Sequence, residues 1–139
     1  MGSIYQSRGL HLPRLHHTTL PIPDGGQEQG RAFYSKLVGL QEKTPPADIA
    51  RRGVLWFVAG DNEMEIHLVP DAFLANAQEG RHICFEVDDV ETYRQRVAAA
   101  GYAIVEASVI HHRPRFFCRD PFNNFVEFTT IEGDYLSAE

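Results

Sequence analysis

An internal repeat is the feature that most constrains the fold of this chain, because two copies of one pattern fold into two similar units. Three kinds of landmark recur: a glycine that ends a predicted helix, a glutamate in the last predicted strand of a half, and a histidine in the first strand. The pairs are Gly39 and Gly101, Glu65 and Glu127, and His17 and His82. The first two pairs are 62 residues apart and the third is 65 apart, a difference that loops can absorb. The sequence therefore predicts two modules of the same construction.

Each half is predicted to run in the order strand, helix, strand, strand, strand. Alternating apolar residues predict the strands, and apolar residues at helical spacing predict the helices. The first half has strands over 15–22, 40–43, 54–59 and 64–69 and a helix over 27–38. The second half has strands over 81–87, 102–107, 115–119 and 125–131 and a helix over 90–100. A loop is predicted over 44–48 and a short helix or turn over 71–78, so the fold class is α+β.

The length of 139 residues suits one domain and is too short for two independent ones. We place a single domain at 14–131, made of a first module at 14–70 and a second module at 81–131. Residues 1–13 are then an N-terminal extension and 132–139 a C-terminal tail.

Composition and charge exclude several classes of function. The net charge of −6 makes nucleic acid and anionic membranes poor partners. The apolar runs, such as 54–59, are too short to span a bilayer. The N-terminus has no basic-then-apolar signal pattern, and Cys84 and Cys118 lack the C-x-x-C spacing of a zinc or redox site. We therefore expect a cytoplasmic protein with two reduced, mostly buried thiols.

Histidine and glutamate side chains fall on the non-core face of four predicted strands. Side chains alternate between the faces of a strand, so His82 and Glu127 lie opposite apolar neighbours. His17 and Glu65 occupy matched strands of the first half. If these side chains converge, two imidazoles and two carboxylates form a site for a divalent metal ion such as Zn, Ni, Co, Mn or Fe. Coordination positions left open would hold water or a small-molecule substrate, which is typical of a catalytic site.

The residues alone leave several choices open. His67 shares a face with the glutamate of the first half and could replace it as a ligand. Single histidines and glutamates on a solvated strand face need no functional explanation, and their recurrence in both halves is what favours a metal site. His111 and His112 lie in a predicted loop beside Arg113 and Arg115, where they are either solvated or bind an anionic substrate group.

Five segments of the sequence resemble the vicinal oxygen chelate superfamily, which includes glyoxalases, bleomycin-resistance proteins and extradiol dioxygenases. They are LHHTTL at 15–20, RAFY at 31–34 running to Gly39, EIHL at 65–68, HICFEVDD at 82–89 and DPFNNFVEF at 120–128. The resemblance covers about residues 14 to 131. It implies two βαβββ modules that form an open, cupped eight-stranded sheet around a metal ion, and a homodimer. By position, His17, Glu65, His82 and Glu127 match the metal ligands of the superfamily.

Two positions depart from the pattern of the superfamily. Asn123 stands where the superfamily usually has glycine, and asparagine also tolerates a left-handed turn. Pro21 stands where lactoylglutathione lyases often carry an arginine that holds glutathione. The second departure argues against glutathione as a substrate but not against a metal.

The resemblance implies a small metalloenzyme that acts on a small oxygenated substrate. In the similar enzymes adjacent substrate oxygens approach the metal, which stabilises a developing oxyanion as a Lewis acid. A carboxylate, Glu127 with Glu65 opposite, would move a proton, which is lyase, isomerase or epimerase chemistry. If Glu65 is not a ligand, two histidines and one glutamate resemble the iron site of a dioxygenase.

A metal-free ligand-binding or antibiotic-resistance protein is the alternative function, since such members of the superfamily sequester a drug in a cleft at a dimer interface. The aromatic residues that could line such a cleft are Trp56, Phe57, Phe73, Phe116, Phe117 and Phe125, although a place in the core explains most of them more simply. Retention of His17, His82 and Glu127 argues against this alternative, because a pure binding protein needs no ligand set. A ligand sensor without activity is a third option that the sequence neither supports nor excludes.

Overall fold

A computed structural model of the chain describes residues 13–61, 63–72 and 81–136. The first module consists of β1 (His17–Ile22), α1 (Gln27–Gly30) with a π-helical continuation (Arg31–Leu37), β2 (Gln41–Lys43), α2 (Ala47–Ala50), β3 (Leu55–Val58) and β4 (Glu65–Pro70). The second module consists of β5 (His82–Glu86), α3 (Val90–Ala99), β6 (Val105–Glu106), β7 (Arg115–Arg119) and β8 (Phe125–Thr129). The α+β class and the two βαβββ modules are confirmed.

The eight strands form two four-stranded sheets of the same topology. The strand order is β1-β4-β3-β2 in the first sheet and β5-β8-β7-β6 in the second. In each module the first and last strands pair in parallel, while the remaining pairs are antiparallel. Within one chain the strands thus divide into two matching sheets, with β1 and β5 each at an edge.

Both modules contribute to one hydrophobic core. Its fully buried members include Ile22, Phe33, Phe57 and Leu68 from the first module and Val97, Phe116, Val126 and Phe128 from the second. Because side chains alternate along a strand, each sheet turns one face toward this shared core and the other face away from it. The predicted histidine and glutamate ligands lie on the faces that point away.

The helix ends follow the sequence signals. Asp89 begins α3, since its side chain accepts a hydrogen bond from the backbone N–H of Glu91 at 3.1 Å. Gly39 and Gly101 follow the two long helices with a φ of 94°, a left-handed conformation that glycine adopts without steric cost. Asn123 has a φ of 72°, so the tolerance of asparagine for this turn is used here.

Several elements differ in detail from the prediction. The helix of the first module is π-helical over most of its length, with the Val38 N–H bonded to the Phe33 carbonyl. α2 lies partly in the predicted loop, because proline is tolerated at a helix start and Pro46 caps this one. The predicted strand over 102–107 contains only the two residues of β6. The helix or turn predicted over 71–78 lies largely outside the described residues. None of the described helices has the length and apolar content that crossing a membrane requires.

A buried hydrogen bond joins the two modules. The Tyr34 hydroxyl donates to Asp120 Oδ2 at 2.6 Å, and both side chains are buried. Asp120 also accepts hydrogen bonds from Asn124 and from the Phe122 backbone, which fixes the turn before β8. Burial raises the pKa of the Asp120 carboxyl, although these hydrogen bonds oppose the shift. The bond therefore anchors the helix of one module to the turn of the other.

Replacing Tyr34 with Phe is expected to destabilise the protein by about 2 kcal/mol, because a buried hydrogen bond to a carboxyl group is lost. Denaturant unfolding followed by circular dichroism measures the change. Tyr102→Phe is the matched control, since the Tyr102 ring packs edge-to-face against Phe33, with centroids 5.2 Å apart, and no hydrogen bond of its hydroxyl is seen in the described residues. Its effect should stay within about 0.5 kcal/mol. Equal effects of the two substitutions would contradict the anchoring role.

Candidate metal centre

A ladder of stacked rings organises the outward face of the first sheet. His67 lies on β4, paired with Thr19 of β1 on one side and with Trp56 of β3 on the other. The rings of Trp56 and His67 stack at 4.6 Å, and those of His67 and His17 at 4.1 Å. His16, the residue before His17, brings its Nδ1 to 3.0 Å from His17 Nδ1. The ladder holds the imidazoles of His17 and His67 face to face.

Glu65 is buried beside this ladder and is already paired. Its Oε1 lies 2.8 Å from His67 Nε2, and its other oxygen forms an ion pair with Lys43. Burial raises the pKa of Glu65, but the hydrogen bonds from His67 and Lys43 outweigh burial and leave the pKa lowered. Burial also lowers the pKa of His67, which favours the neutral imidazole that binds metals.

The second sheet carries a compact cluster around Glu127. This carboxylate is 2% exposed, and its Oε1 lies 2.9 Å from His82 Nε2. Its Oε2 accepts hydrogen bonds from Arg113 at 2.8 Å and from Arg115 at 3.3 Å. Cys84 lies directly across from Glu127 on β5, and partial desolvation together with the negative charge of Glu127 raises the pKa of its thiol to about 11. The two oxygens of Glu127 therefore have different partners, an imidazole on one side and two guanidinium groups on the other.

Strand register shows which residues correspond between the two halves. His82 pairs with Phe125, so Glu127 lies two residues beyond the partner of the histidine. His17 pairs with Glu65, so the residue two beyond the partner is His67. By register, His67 therefore takes the place in the first sheet that Glu127 takes in the second. Glu65 lies directly across from His17.

The described residues do not show the four predicted ligands as one cluster. Within residues 13–61, 63–72 and 81–136, no three His, Cys, Asp or Glu side chains are grouped so that they could hold a metal ion. His17 and His82 both line a groove of about 770 Å³ that also touches the length of β5, but they make no contact with each other in the described structure. The predicted convergence of His17, Glu65, His82 and Glu127 is thus seen only pairwise.

The donor atoms of each half nevertheless suit a divalent ion. Neighbouring ligands of an octahedral ion with bonds of roughly 2.1 Å lie about 3.0 Å apart. His82 Nε2 and Glu127 Oε1 are 2.9 Å apart, which is also an ordinary hydrogen-bond distance. A neutral imidazole and a buried carboxylate are suitable ligands for first-row metals, so each half has donor atoms that could hold part of a metal site.

The predicted aromatic cleft residues divide between the two faces of the sheets. Trp56, Phe117 and Phe125 lie on the outward faces, where Phe117 and Phe125 stack at 4.5 Å beside His82. Phe57 and Phe116 are fully buried in the shared core and line no cleft, as expected of most of this aromatic set. Phe73 lies outside the described residues.

Some site neighbours were not predicted as such. Lys43 reaches Glu65 because β2 pairs with β3 so that Lys43 lies across from Trp56, a register that the sequence does not reveal. Cys118 is buried as expected, whereas Cys84 is exposed on the face of Glu127. His111 and His112 are exposed in the loop before β7, with their rings 3.9 Å apart.

Three solved structures show the same fold. A protein assigned to the glyoxalase family from Bacillus anthracis is 26% identical, with a TM-score of 0.76, over 88% of this chain and 98% of that one. A lactoylglutathione lyase from Agrobacterium tumefaciens is 21% identical, with a TM-score of 0.62, over 94% of this chain and 100% of that one. The antibiotic-binding protein TnmS3 from Streptomyces sp. CB03234 is 17% identical, with a TM-score of 0.67, over 88% of this chain and 98% of that one.

The sequence itself matches one family model. No curated protein sequence matches the chain. The model of the glyoxalase/bleomycin resistance protein/dioxygenase superfamily matches residues 14–128, which contain both sheets and nearly all of the described structure. The chain belongs to the glyoxalase/bleomycin resistance protein/dioxygenase superfamily.

Proposed function

We propose that this protein is a metal-dependent enzyme that moves a proton on a small oxygenated substrate, in a site shared by two chains of a homodimer. The observation that carries the proposal is that the outward face of each sheet has an imidazole at hydrogen-bond distance from a buried carboxylate. These pairs are His67 with Glu65 on the first sheet and His82 with Glu127 on the second. His17 and His67 of one chain would meet His82 and Glu127 of the partner chain.

A homodimer would bring together the metal ligands that are not grouped in the described part of one chain. The ligand faces of the two sheets point away from the shared core, and among the described residues no three candidate ligands are grouped around one point. A second copy related by a two-fold axis would place the first sheet of each chain against the second sheet of the other. The edge strands β1 and β5 border the groove where these sheets would meet.

The residues of the proposed site have two roles, metal binding and proton transfer. His17, His67, His82 and Glu127 would hold a divalent ion, which, when bound, supplies a Lewis acid that stabilises negative charge on a substrate oxygen. Glu65 and Glu127 come from opposite sheets, so a substrate carbon between the sheets has a carboxylate on either side. Such a pair can remove a proton and return it, as an isomerase or epimerase requires.

Metal content and proton exchange test the proposal together. Chelator-free protein reconstituted separately with Zn, Ni, Co, Mn and Fe is expected to bind about one ion per chain, because each dimer has two sites. Loaded protein is then expected to exchange the hydrogen next to the carbonyl of small hydroxycarbonyl compounds with deuterium from solvent, as followed by NMR. Metal binding well below one ion per chain with every metal would refute the enzyme proposal.

A metal-free binding protein is the second candidate, and one observation favours it. Glu127 is already neutralised by two guanidinium groups, so its carboxylate has less need of a metal ion. The likeness in fold to an antibiotic-binding protein is compatible with this function. Sub-stoichiometric metal content, together with tight binding of an aromatic drug-like ligand, would support this candidate over the enzyme.

A further inference from the structure

We propose that Arg113, held beside Glu127 by a hydrogen bond, is a substrate-binding residue, and that the substrate carries a carboxylate or phosphonate group. The inference rests on the proposed function for its location, because it names the class of substrate for that same site. The geometry behind it is the convergence of two half-buried guanidinium groups on a single carboxylate oxygen.

The local charges do not balance. Arg113 and Arg115 both donate to Glu127 Oε2, at 2.8 and 3.3 Å, so two positive charges share one negative charge. Their side chains are only 20% and 17% exposed, compared with 70% for the surface residue Arg51. Partly desolvated cations are costly unless they are paired. An anionic group of a ligand would provide the missing partner.

The two arginines have different roles. Arg115 is committed to the protein, since its Nε and Nη2 bind the Ser108 carbonyl and hydroxyl while its Nη1 binds Glu127. Arg113 uses only Nη2 for hydrogen bonds, to Glu127 and to Cys84 Sγ, in the part of the chain that the structure describes. Its Nε and Nη1 donors remain for a ligand, and a guanidinium fork matches the two oxygens of a carboxylate or phosphonate.

There is room for a ligand next to this fork. Arg113 and Arg115 line a groove of about 450 Å³ that follows the loop 107–114. Glu106 on the same wall is paired with Arg94 and brings no net negative charge, while Glu132 adds one at the rim. Tyr135 packs over the Arg113 guanidinium at 5.4 Å and covers one of its faces. The Arg113 guanidinium thus has the groove beside it and the Glu127 carboxylate at hydrogen-bond distance.

Binding of a metal ion and binding of an anion should then strengthen each other. In the metal-free protein Glu127 competes with an anion for the two guanidinium groups. When Glu127 is instead a metal ligand, its charge is shared with the cation and the guanidinium groups need another anion. Linkage requires that the factor by which bound metal strengthens anion binding equals the factor by which the bound anion strengthens metal binding.

The test uses NMR titration of metal-free protein to compare the affinities for lactate and lactamide. These two compounds have nearly the same shape but differ in charge. Methylphosphonate is a third probe that distinguishes a phosphonate from a carboxylate. Lactate or methylphosphonate is expected to bind at least about tenfold more tightly than lactamide, and Arg113→Gln to abolish the difference. Arg113→Lys should retain part of it. Arg51→Gln, which removes the same charge far from the groove, should leave it unchanged.

Glu127→Gln gives the sharpest result. This variant is expected to bind lactate about tenfold more tightly in the absence of metal, because the competing carboxylate is gone, while losing metal affinity. Equal binding of lactate and lactamide by the wild type, or a preference that persists in Arg113→Gln, would overturn the proposal. A protein that binds no metal but keeps an Arg113-dependent preference for lactate would refute the enzyme proposal alone.

Discussion

Mixing His17→Ala chains with His82→Ala chains is expected to restore metal binding that neither variant shows alone. In a mixed dimer one of the two shared sites contains both substitutions, whereas the other contains none. This follows if His17 from one chain and His82 from its partner bind the same ion. A site built inside one chain would lose a ligand in every chain, so mixing would restore nothing.

Random pairing makes half of the dimers mixed, so metal binding should return to about one quarter of the wild-type stoichiometry. The variants are unfolded together in denaturant and refolded, native mass spectrometry counts the mixed dimers, and plasma emission measures the metal. A mixture of His17→Ala with His67→Ala is the matched control, because both substitutions affect the same half and no intact site can form. Mixed dimers that remain empty in the first mixture would show that the shared-site arrangement is wrong.

The repeat explains why the fold could be predicted from the sequence. Gly39 and Gly101 end the two long helices in the same left-handed conformation, as their positions after apolar helical patterns indicated. Alternation along β1 and β5 correctly placed His17 and His82 on the faces away from the core. These signals are local, because each depends on backbone conformation or on residues within one strand.

The choice between neighbouring aromatic residues could not be made from the sequence. Trp56 and Phe57 are adjacent in β3, as are Phe116 and Phe117 in β7, and either member of each pair could fill a core. The structure buries Phe57 and Phe116 completely and turns Trp56 and Phe117 to the outer faces. Only pairing with the next strand decides the matter, since a shift of one residue exchanges the faces.

Register also explains why the glutamate spacing is ambiguous. Glu65 and Glu127 are 62 residues apart, which suggests that they are equivalent. Relative to the neighbouring histidine strands, however, His67 is the counterpart of Glu127. Spacing along the chain counts loop residues, whereas the position of a ligand depends on which residues lie across from it. In the proposed dimer the association of the two halves would likewise depend on contacts between chains, which spacing does not encode.

His67 and Glu65 can be separated by their effects on metal affinity. His67→Ala is expected to weaken metal binding by more than about 100-fold, because it removes a ligand rather than one of the groups that orient a ligand. Glu65→Gln should weaken it by no more than about tenfold, since a glutamine oxygen can still accept the hydrogen bond of His67. Competition with a chromogenic chelator measures both affinities, and circular dichroism checks that Trp56 and its sheet remain folded.

Glu65→Gln should have a larger effect on the rate of proton transfer than on metal affinity. Glu65→Gln retains the metal but replaces one of the two carboxylates that flank the substrate, so deuterium exchange is expected to fall by about 100-fold or more in fully loaded protein. Glu65→Asp, which keeps the carboxylate, should recover part of the rate. If Glu65→Gln instead empties the site while His67→Ala leaves it filled, then Glu65 is the ligand and the correspondence by register does not extend to the metal. Glu65 and Glu127 would in that case both be metal ligands as well as proton carriers. Their equivalence in the two modules would then follow the spacing of 62 residues between them.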